Sequence, residues 1–502
     1  MTENPNLVAG DAEGNPLEDQ DHLVNGRVPG KGSGLFTENA EGAVTPANGQ
    51  PLSVEHLQNN ISFLDPNATR ADWQDELDTL GNNGGGLAVP RRGTYQCEDL
   101  AIPSNVTLDP LAYLGAKFTL PDNPSDTPQP VIRTKEGAEN VTIRNIEVDG
   151  RESEFRDLYG SNRGHGIAVA GDGSGNFRPT NCVVESCYAH DTIRTNVAVA
   201  ADESTFRDLK LENAATDHWL YIAHGSNNHV KNIEGSGFCK TGGIIVGGNG
   251  SKTLDNKIET VHAHNTTTTP ENAQPKHVVE FRTPSATGDR GNTTLRDVTV
   301  ENPHADGLGI LAQTGHKAEI DSVYYTGPFD QTGLIDLRSD GSRASELDIR
   351  VTDTTTSGNQ LIRLTANSEV ENVRLREPNT SAFKGVYLQG DGASAQDLDI
   401  STGGAAVETY TPSGAEIMVD IRELNTDNST RISMNGDTGS TYFTDGCMIP
   451  QRLASISSTF LYDGFQGFSD GGTGDSTKGP AFWDGGAGNW VSEVDGSTWT
   501  PA

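Results

Sequence analysis

Residues 360–375 read QLIRLTANSEVENVRL, and this stretch carries the pattern that decides the fold. Apolar and polar side chains alternate around Ile362 and Leu364, and again around Val373 and Leu375, with a polar segment in between. A period of two residues is typical of a β-strand with one buried face. The stretch therefore predicts two short strands joined by a turn, with their aliphatic side chains facing a common core.

The same alternation recurs along the chain at a nearly constant interval. From residue 167 to residue 407 there are ten apolar pairs, and their nine intervals average about 27 residues. Repeats of fixed period indicate a solenoid, in which each coil bonds to the next and only inward residues are apolar. We therefore predict an all-β fold, a parallel β-helix across residues 66–445. The pairs are Ile167/Val169, Val197/Val199, Leu220/Ile222, Ile244/Val246, Val279/Phe281, Leu308/Ile310, Ile335/Leu337, Ile362/Leu364, Val386/Leu388 and Val407/Thr409.

The composition fits a fold in which few residues form the apolar core, and it excludes several classes of protein. Hydrophobic residues make up only 33% of the chain and 58 residues are glycine, which rules out a coiled coil. The 70 acidic and 36 basic residues give a net charge of −34, so we expect neither nucleic acid nor an anionic membrane as a partner. No apolar run reaches the ~20 residues of a membrane span, and we expect no signal peptide. So acidic a composition is typical of proteins adapted to high salt.

The cysteines predict neither a zinc site nor a disulfide framework. There are five, an odd number, and none forms a Cys-x-x-Cys pair. We interpret them as buried small hydrophobic residues and expect no metal and no cofactor.

The segment that opens the repeat has a distinctive sequence. A short amphipathic helix is predicted over residues 70–80, with Trp73, Leu77 and Leu80 at helical spacing. It is followed by Gly84-Gly85-Gly86-Leu87-Ala88-Val89-Pro90 and Gly93-Thr94-Tyr95. This segment resembles the start of pectate-lyase-like right-handed β-helices, in which a short helix caps the solenoid. The resemblance implies a right-handed β-helix. Residues 1–65, which are polar, rich in Gly, Pro and Asn and without clear periodicity, are predicted to form an irregular N-terminal arm.

Stacking the coils places the outward side chains in columns that predict a site. Trp and Tyr faces beside charged groups suit sugar rings, which offer both C–H faces and hydroxyl groups. Position and residue type together predict a glycan-binding face made of His165, Arg194, His218, Trp219, Tyr221, His277, Arg282, Asp336 and Arg338.

Three carboxyl groups in these columns are candidates for catalysis. Hydrolysis of a glycoside needs two carboxyl groups, ~5–5.5 Å apart for retention or ~6.5–9.5 Å apart for inversion. Glu280 and Asp306 lie on adjacent coils and form the preferred pair, with Asp217 in reserve. A lyase would instead need a base such as Lys, Arg or His. The Glu280/Arg282 and Asp336/Arg338 pairs also fit a surface ion-pair ladder without catalysis.

Two further features bear on assembly. The outward columns of two early coils are small and apolar, at Ala168, Ala170, Ala198 and Ala200, which predicts contact with another subunit or with a loop of the same chain. Residues 446–502 hold eight aromatic residues, so we expect a packed, β-rich C-terminal module rather than a disordered tail.

An irregular arm, a long β-helix and an aromatic C-terminal module together resemble the tailspikes and receptor-binding fibres of tailed viruses, here of a salt-loving host. The resemblance implies a homotrimer on the virion, attached to other virion proteins by its arm and binding a host surface glycan or glycoprotein, with or without depolymerase activity. A free polysaccharide hydrolase or lyase and a structural capsid-vertex turret are the alternatives.

Overall fold

The computed structural model describes residues 60–402, except 112–114, 126–128, 160–163, 171–176, 241, 249–252, 269–276, 284–290, 305–307, 330–331, 353–359, 366, 378–383 and 390–391. Outside that range it describes eleven short strand segments, at 36–38, 44–46, 407–410, 416–419, 432–435, 440–443, 450–451, 466–469, 479–484, 489–492 and 498–499.

Strands dominate the described residues, with two α-helices, α1 (Arg70–Asn82) and α2 (Glu152–Tyr159). The strands of the first 301 residues are β1 (Phe36–Glu38), β2 (Val44–Pro46), β3 (Ile61–Leu64), β4 (Gly86–Pro90), β5 (Gly93–Gln96), β6 (Leu100–Ile102), β7 (Val106–Leu108), β8 (Ala116–Thr119), β9 (Ile132–Thr134), β10 (Thr142–Arg144), β11 (Glu147–Asp149), β12 (Ile167–Ala170), β13 (Val183–Glu185), β14 (Tyr188–Thr192), β15 (Val197–Ala200), β16 (Thr205–Ala214), β17 (Leu220–His224), β18 (His229–Cys239), β19 (Gly242–Val246), β20 (Asn256–Thr266), β21 (His277–Phe281) and β22 (Gly291–Glu301).

The remaining strands are β23 (Gly309–Ala312), β24 (His316–Gly327), β25 (Ile335–Leu337), β26 (Arg343–Val351), β27 (Gln360–Thr365), β28 (Glu369–Arg376), β29 (Lys384–Gln389), β30 (Ser394–Ser401), β31 (Val407–Tyr410), β32 (Glu416–Val419), β33 (Ile432–Asn435), β34 (Ser440–Phe443), β35 (Pro450–Gln451), β36 (Gln466–Ser469), β37 (Gly479–Asp484), β38 (Asn489–Ser492) and β39 (Thr498–Trp499).

The chain divides into two compact units, and each is built from parallel coils. Unit 1 is Met1–Leu308 with Gly315–Lys317, and unit 2 is Gly309–Thr314 with Ala318–Ala502. In unit 1, sheet A stacks β6, β9, β12, β15, β17, β19 and β21, while sheet B stacks β3, β4, β7, β10, β13, β16, β18, β20 and β22. In unit 2, sheet A stacks β23, β25, β27, β29, β31 and β33, while sheet B includes β26, β28, β30, β32 and β34. The fold is a right-handed parallel β-helix, as the sequence predicted.

The predicted inward pairs form the core. In unit 1, Ile167, Val197, Leu220, Ile244 and Val279 occupy one register position of sheet A, and all are fully buried. In unit 2 the series continues from Ile335 to Ile362, Val386 and Val407.

One coil departs from the predicted register. Ile310, and not Leu308, pairs with Ile335, so that Leu311 rather than Gly309 lies beside Asp336 in the outward column. A slip of two residues keeps every side chain on its expected face, and the alternation alone therefore did not reveal it.

Each long strand of sheet B, from β16 to β30, bends near its middle at a residue with left-handed backbone geometry. In β16, β18 and β28 these residues are Asp208 (φ 55°), Asn232 (φ 53°) and Asn372 (φ 53°). The inward residues on either side of Asn372, Val370 and Val373, are three positions apart instead of two. Asn and Asp tolerate this conformation better than other non-glycine residues, which explains their recurrence at the corners.

Helix α1 packs against the first coils, as predicted. Its Trp73, Leu77 and Leu80 are buried, and Thr69 forms a capping box with Asp72 at its N-terminus. The Trp73 ring meets Tyr95 edge to face at 4.9 Å. The coils begin earlier than expected, because β3 already pairs in parallel with β4.

The two ends of the chain contain local sheets. Strands β1 and β2, in the predicted arm, pair antiparallel. In the predicted C-terminal module, β36 to β39 form antiparallel pairs, and Trp490 is fully buried. Four cysteines are buried and unpaired, as predicted, while Cys447 lies outside the described residues. Among the described helices, none has the length and apolar character of a membrane span.

Candidate ligand-binding site

The outer face of sheet A in unit 1 brings several predicted residues together. Its central column runs from Ala168 through Ala198, Tyr221 and Ile245 to Glu280 on adjacent strands. Tyr221 is only 7% exposed and Glu280 only 6%, although both point away from the core. Other parts of the same chain therefore cover this face.

The burial of this face also explains why the outward columns of two early coils consist of alanines. Ala168, Ala198 and Ala200 are buried within a single chain, while Ala170 is partly exposed. Of the two interpretations of the alanine columns, the structure supports coverage by the chain itself. The alanines therefore give no support to contact between subunits.

Asp217 is the centre of a network on this face. Its Oδ2 accepts hydrogen bonds from Arg194 Nε at 3.1 Å and from Thr195 Oγ1 at 3.2 Å, while its Oδ1 lies 2.5 Å from His218 Nε2. Burial by itself raises the pKa of Asp217, but the contacts with His218 and Arg194 outweigh it and hold the pKa well below its usual range. Asp217 is therefore a carboxylate at any pH at which the protein is used.

The network fixes the orientation of His218. Its Nδ1 donates to the carbonyl oxygen of Gly242 at 3.0 Å, and the ring is 1% exposed. The two ring nitrogens of His218 therefore face the carbonyl oxygen of Gly242 and the carboxylate of Asp217. These two contacts hold the buried imidazole in place beside Asp217.

His165 lies at the edge of the same network. Burial lowers the pKa of His165 to about 4, and the neighbouring charge of Arg194 acts in the same direction. Its Nδ1 is buried and has no partner among the described residues. His165 is therefore a neutral imidazole at neutral pH.

Tyr221 joins the Asp217 network to a second ion pair. Its ring meets His218 edge to face at 5.3 Å, and its hydroxyl is hydrogen-bonded to the side chain of Arg282. Arg282 in turn contacts Glu280, with Nε 3.3 Å from Oε1. Burial raises the pKa of Tyr221 above its ordinary value, so the phenol is neutral. We call Arg194, Asp217, His218, Tyr221, Glu280 and Arg282 the Tyr221 cluster.

Trp219 does not offer the exposed stacking face that the sequence predicted. It is 1% exposed and fills the interior of its coil. A Cβ added to either Gly235 or Gly243 would lie 2.4 Å from its ring, so the two glycines form the slot that accepts the indole. The prediction failed because Trp219 immediately precedes β17, where alternation no longer determines which way a side chain points.

The remaining predicted residues lie elsewhere. Asp336 and Arg338 belong to unit 2 and form an ion pair there, with Arg338 Nε 2.9 Å from Asp336 Oδ2. His277 is partly exposed and pairs in register with Gly242, next to His218. Asp306 lies outside the described residues.

Thr195, which donates a hydrogen bond to Asp217, was not among the predicted site residues. Thr195 and His218 occupy equivalent positions in successive coils, as the backbone bonds from Gly166 N to Thr195 O and from Asn196 N to His218 O demonstrate. The same spacing before β12, β15 and β17 was the signal that could have identified it.

One other cluster has the composition of a metal site. Asp149, His190 and Asp191, on sheet B, form the one group of three potential ligands that converge in the described part of the chain. Lys117 Nζ already neutralises Asp149 Oδ2 at 2.7 Å, and the two nitrogens of His190 contact Asp191 and Glu147. Local ion pairs therefore account for this cluster.

Comparison with known proteins assigns no family to the chain. No protein-family profile matches it, and no curated protein is similar in sequence. Among solved structures it is similar to a tailspike protein of E. coli bacteriophage HK620, at 11% identity and a TM-score of 0.42 over 83% of each chain.

Two other solved structures give comparable matches. A polygalacturonase from Erwinia carotovora has 10% identity and a TM-score of 0.39, covering 77% of this chain and 96% of the other. Bacteriophage CBA120 tailspike protein 3 has 10% identity and a TM-score of 0.36, covering 92% and 72%. These neighbours are right-handed parallel β-helix proteins.

Proposed function

We propose that this protein is a virion spike or fibre protein whose Tyr221 cluster binds a glycan of the host cell surface. The observation that carries the proposal is the meeting of two ion pairs, Arg194–Asp217 and Arg282–Glu280, around Tyr221 on the outer face of sheet A. Charged side chains are rarely enclosed on the outer face of a sheet unless they are paired or serve a function.

The chemistry of the cluster suits a ligand rich in hydroxyl groups. The side chains of Arg194 and Arg282 are 29% and 28% exposed, while the carboxylates they hold are more buried. Guanidinium groups and carboxylates that are already oriented by each other form directed hydrogen bonds with a sugar at little entropic cost. Trp219 is excluded from this role, since it lies in the core.

Within this proposal, binding without cleavage is favoured over hydrolysis. A glycoside hydrolase needs one carboxyl group that donates a proton to the leaving oxygen. Asp217 is held as a carboxylate by His218 and Arg194, and Glu280 accepts in its ion pair with Arg282. Glu280 with Asp306 remains the proposed acid/base pair for a hydrolase, and Asp217 the reserve.

The proposal includes the assembly that the sequence organisation implied, namely a homotrimer that is attached to the virion by residues 1–65. The order of arm, β-helix and C-terminal module supports it, whereas the buried alanines do not. Light scattering in molar salt measures the oligomeric state, and a stable monomer would contradict this part of the proposal.

The binding proposal is tested by immobilising the purified protein in molar KCl and measuring the affinity of oligosaccharides from a glycan array. We expect Arg282→Gln with Glu280→Gln to weaken binding about tenfold or more, since a ligand loses at least one charge-assisted hydrogen bond. Arg207→Gln removes a comparable ion pair with Glu185 on sheet B and serves as the matched control. Equal affinity in all variants would refute the assignment. Release of reducing ends, lost in Glu280→Gln, would instead identify a hydrolase.

A further inference from the structure

Unit 2 has an outer column of its own on sheet A. Leu311, Asp336, Arg363, Tyr387 and Glu408 are direct neighbours on the successive strands β23, β25, β27, β29 and β31. Asp336 is 1% exposed and Glu408 is 5% exposed, while Arg363 and Tyr387 between them remain partly exposed. The column therefore places two accessible groups, Arg363 and Tyr387, between two buried carboxylates.

Two polar atoms at the centre of this column lack partners. Arg338 holds Oδ2 of Asp336, but the other oxygen, Oδ1, is buried and has no hydrogen bond among the described residues. On the next strand, Arg363 donates from Nη2 to Gln389 Oε1 at 3.5 Å, while its Nε is buried and has no acceptor there. A buried acceptor and a buried donor, on residues paired in register, are thus both unsatisfied. A buried polar group without a hydrogen-bond partner destabilises the protein unless something binds it.

We infer that unit 2 carries a second sugar-binding face, centred on Asp336, Arg363 and Tyr387. One hydroxyl group satisfies both atoms, because its hydrogen donates to Asp336 Oδ1 and its oxygen accepts from Arg363 Nε. The partly exposed ring of Tyr387 is the next residue of the column and offers an apolar surface to the sugar ring. The proposed ligand is an oligosaccharide with a free hydroxyl group on its sugar ring. Arg338, which forms the ion pair with Asp336, is 41% exposed.

The charges around these two atoms exclude other ligands. A metal ion would meet the guanidinium groups of Arg338 and Arg363, and a bare anion would meet the carboxylate of Asp336. A neutral group that both donates and accepts fits the pair. A water molecule has the same property, and the experiment must distinguish it from a sugar.

The inference rests on the proposed function in taking a glycan as the ligand, but its site is separate from the Tyr221 cluster. The test measures the affinity of the full-length protein for the same oligosaccharide array. Asp336→Asn and Arg363→Gln each alter one of the unsatisfied atoms, and Tyr387→Ala removes the ring while leaving both atoms in place. Arg350→Gln breaks the exposed contact with Asp348 on sheet B and is the matched control.

We expect each of the three variants to weaken binding of at least one oligosaccharide about tenfold, with the control unchanged. Circular dichroism and the melting temperature establish that the variants are folded, and Tyr387→Ala keeps the test valid if Asp336→Asn does not fold. Loss of binding only in the Arg282/Glu280 variant would overturn the second face and leave the proposed function standing. Loss only in the unit 2 variants would overturn the Tyr221 assignment instead. Unchanged binding in folded unit 2 variants, with a water at Asp336 and Arg363 in a crystal structure, would refute the inference.

Discussion

At the scale of single residues, the fold puts two aromatic side chains in different environments, although the sequence predicted both on the same outer face. Tyr221 and Trp219 are two positions apart, but the tyrosine lies on the outer face of sheet A and the indole lies in the core. The indole lies in the core because Gly235 and Gly243, which come from different sheets, together leave a slot that accepts it. The sequence has 58 glycines, and no local pattern distinguishes Gly235 and Gly243 from the others.

The slot can be tested by filling it. A Cβ at Gly243 would lie 2.4 Å from Trp219 Cε3 and 3.0 Å from the carbonyl oxygen of Val278, so Gly243→Ala is expected to reduce the free energy of unfolding by about 1–3 kcal/mol. Denaturant unfolding followed by fluorescence measures the change. Combining it with Trp219→Phe should recover part of the loss, since the smaller ring vacates the contact. Strictly additive effects of the two substitutions would contradict direct packing.

At the scale of the coil, a residue with left-handed backbone geometry bends each long strand of sheet B. Asn372 has a positive φ of 53° and lies between the inward residues Val370 and Val373. The alternation predicted both strands of this coil, and the shift from two-residue to three-residue spacing is visible in the sequence. The left-handed geometry that produces this shift belongs to the folded backbone.

The bend at Asn372 leads to a prediction that distinguishes the effect of backbone geometry from that of side-chain contacts. Asn372→Val should destabilise the protein by about 1–2 kcal/mol, because a β-branched residue is strained in the left-handed region. Asn372→Gly removes the same hydrogen bond, from Nδ2 to Glu346 Oε1, but has no such strain, and it is the matched control. Melting temperatures of the two variants provide the comparison. If valine and glycine were equally tolerated, the corner would not depend on backbone geometry.

At the scale of the whole molecule, the most prominent feature is the excess of negative charge. Seventy acidic side chains against 36 basic ones leave an excess that the described ion pairs offset only locally. At ~0.1 M salt the Debye length is ~10 Å, so neighbouring carboxylates repel each other across the surface.

This excess predicts that salt stabilises the protein. The melting temperature should rise from low salt to molar KCl, because screening removes more repulsion between carboxylates than attraction within exposed ion pairs. A parallel series in NaCl tests whether screening or binding of a particular cation is responsible. A melting temperature that stayed constant or fell with salt would show that the acidic composition is not an adaptation to high salt.

The sequence by itself determined the β-helix, its inward residues, helix α1 and the outward orientation of Tyr221, Glu280 and Asp336, because each follows from local periodicity. Only the tertiary structure decided the register of β23, the burial of Trp219 and the enclosure of the outer face of unit 1. It also decided which charges meet, as in Asp217 with Arg194 and His218, and which polar atoms of Asp336 and Arg363 stay unsatisfied. The physical reason is that period-two alternation encodes the face of a strand, whereas contacts between coils depend on loop lengths and on the space left by distant residues.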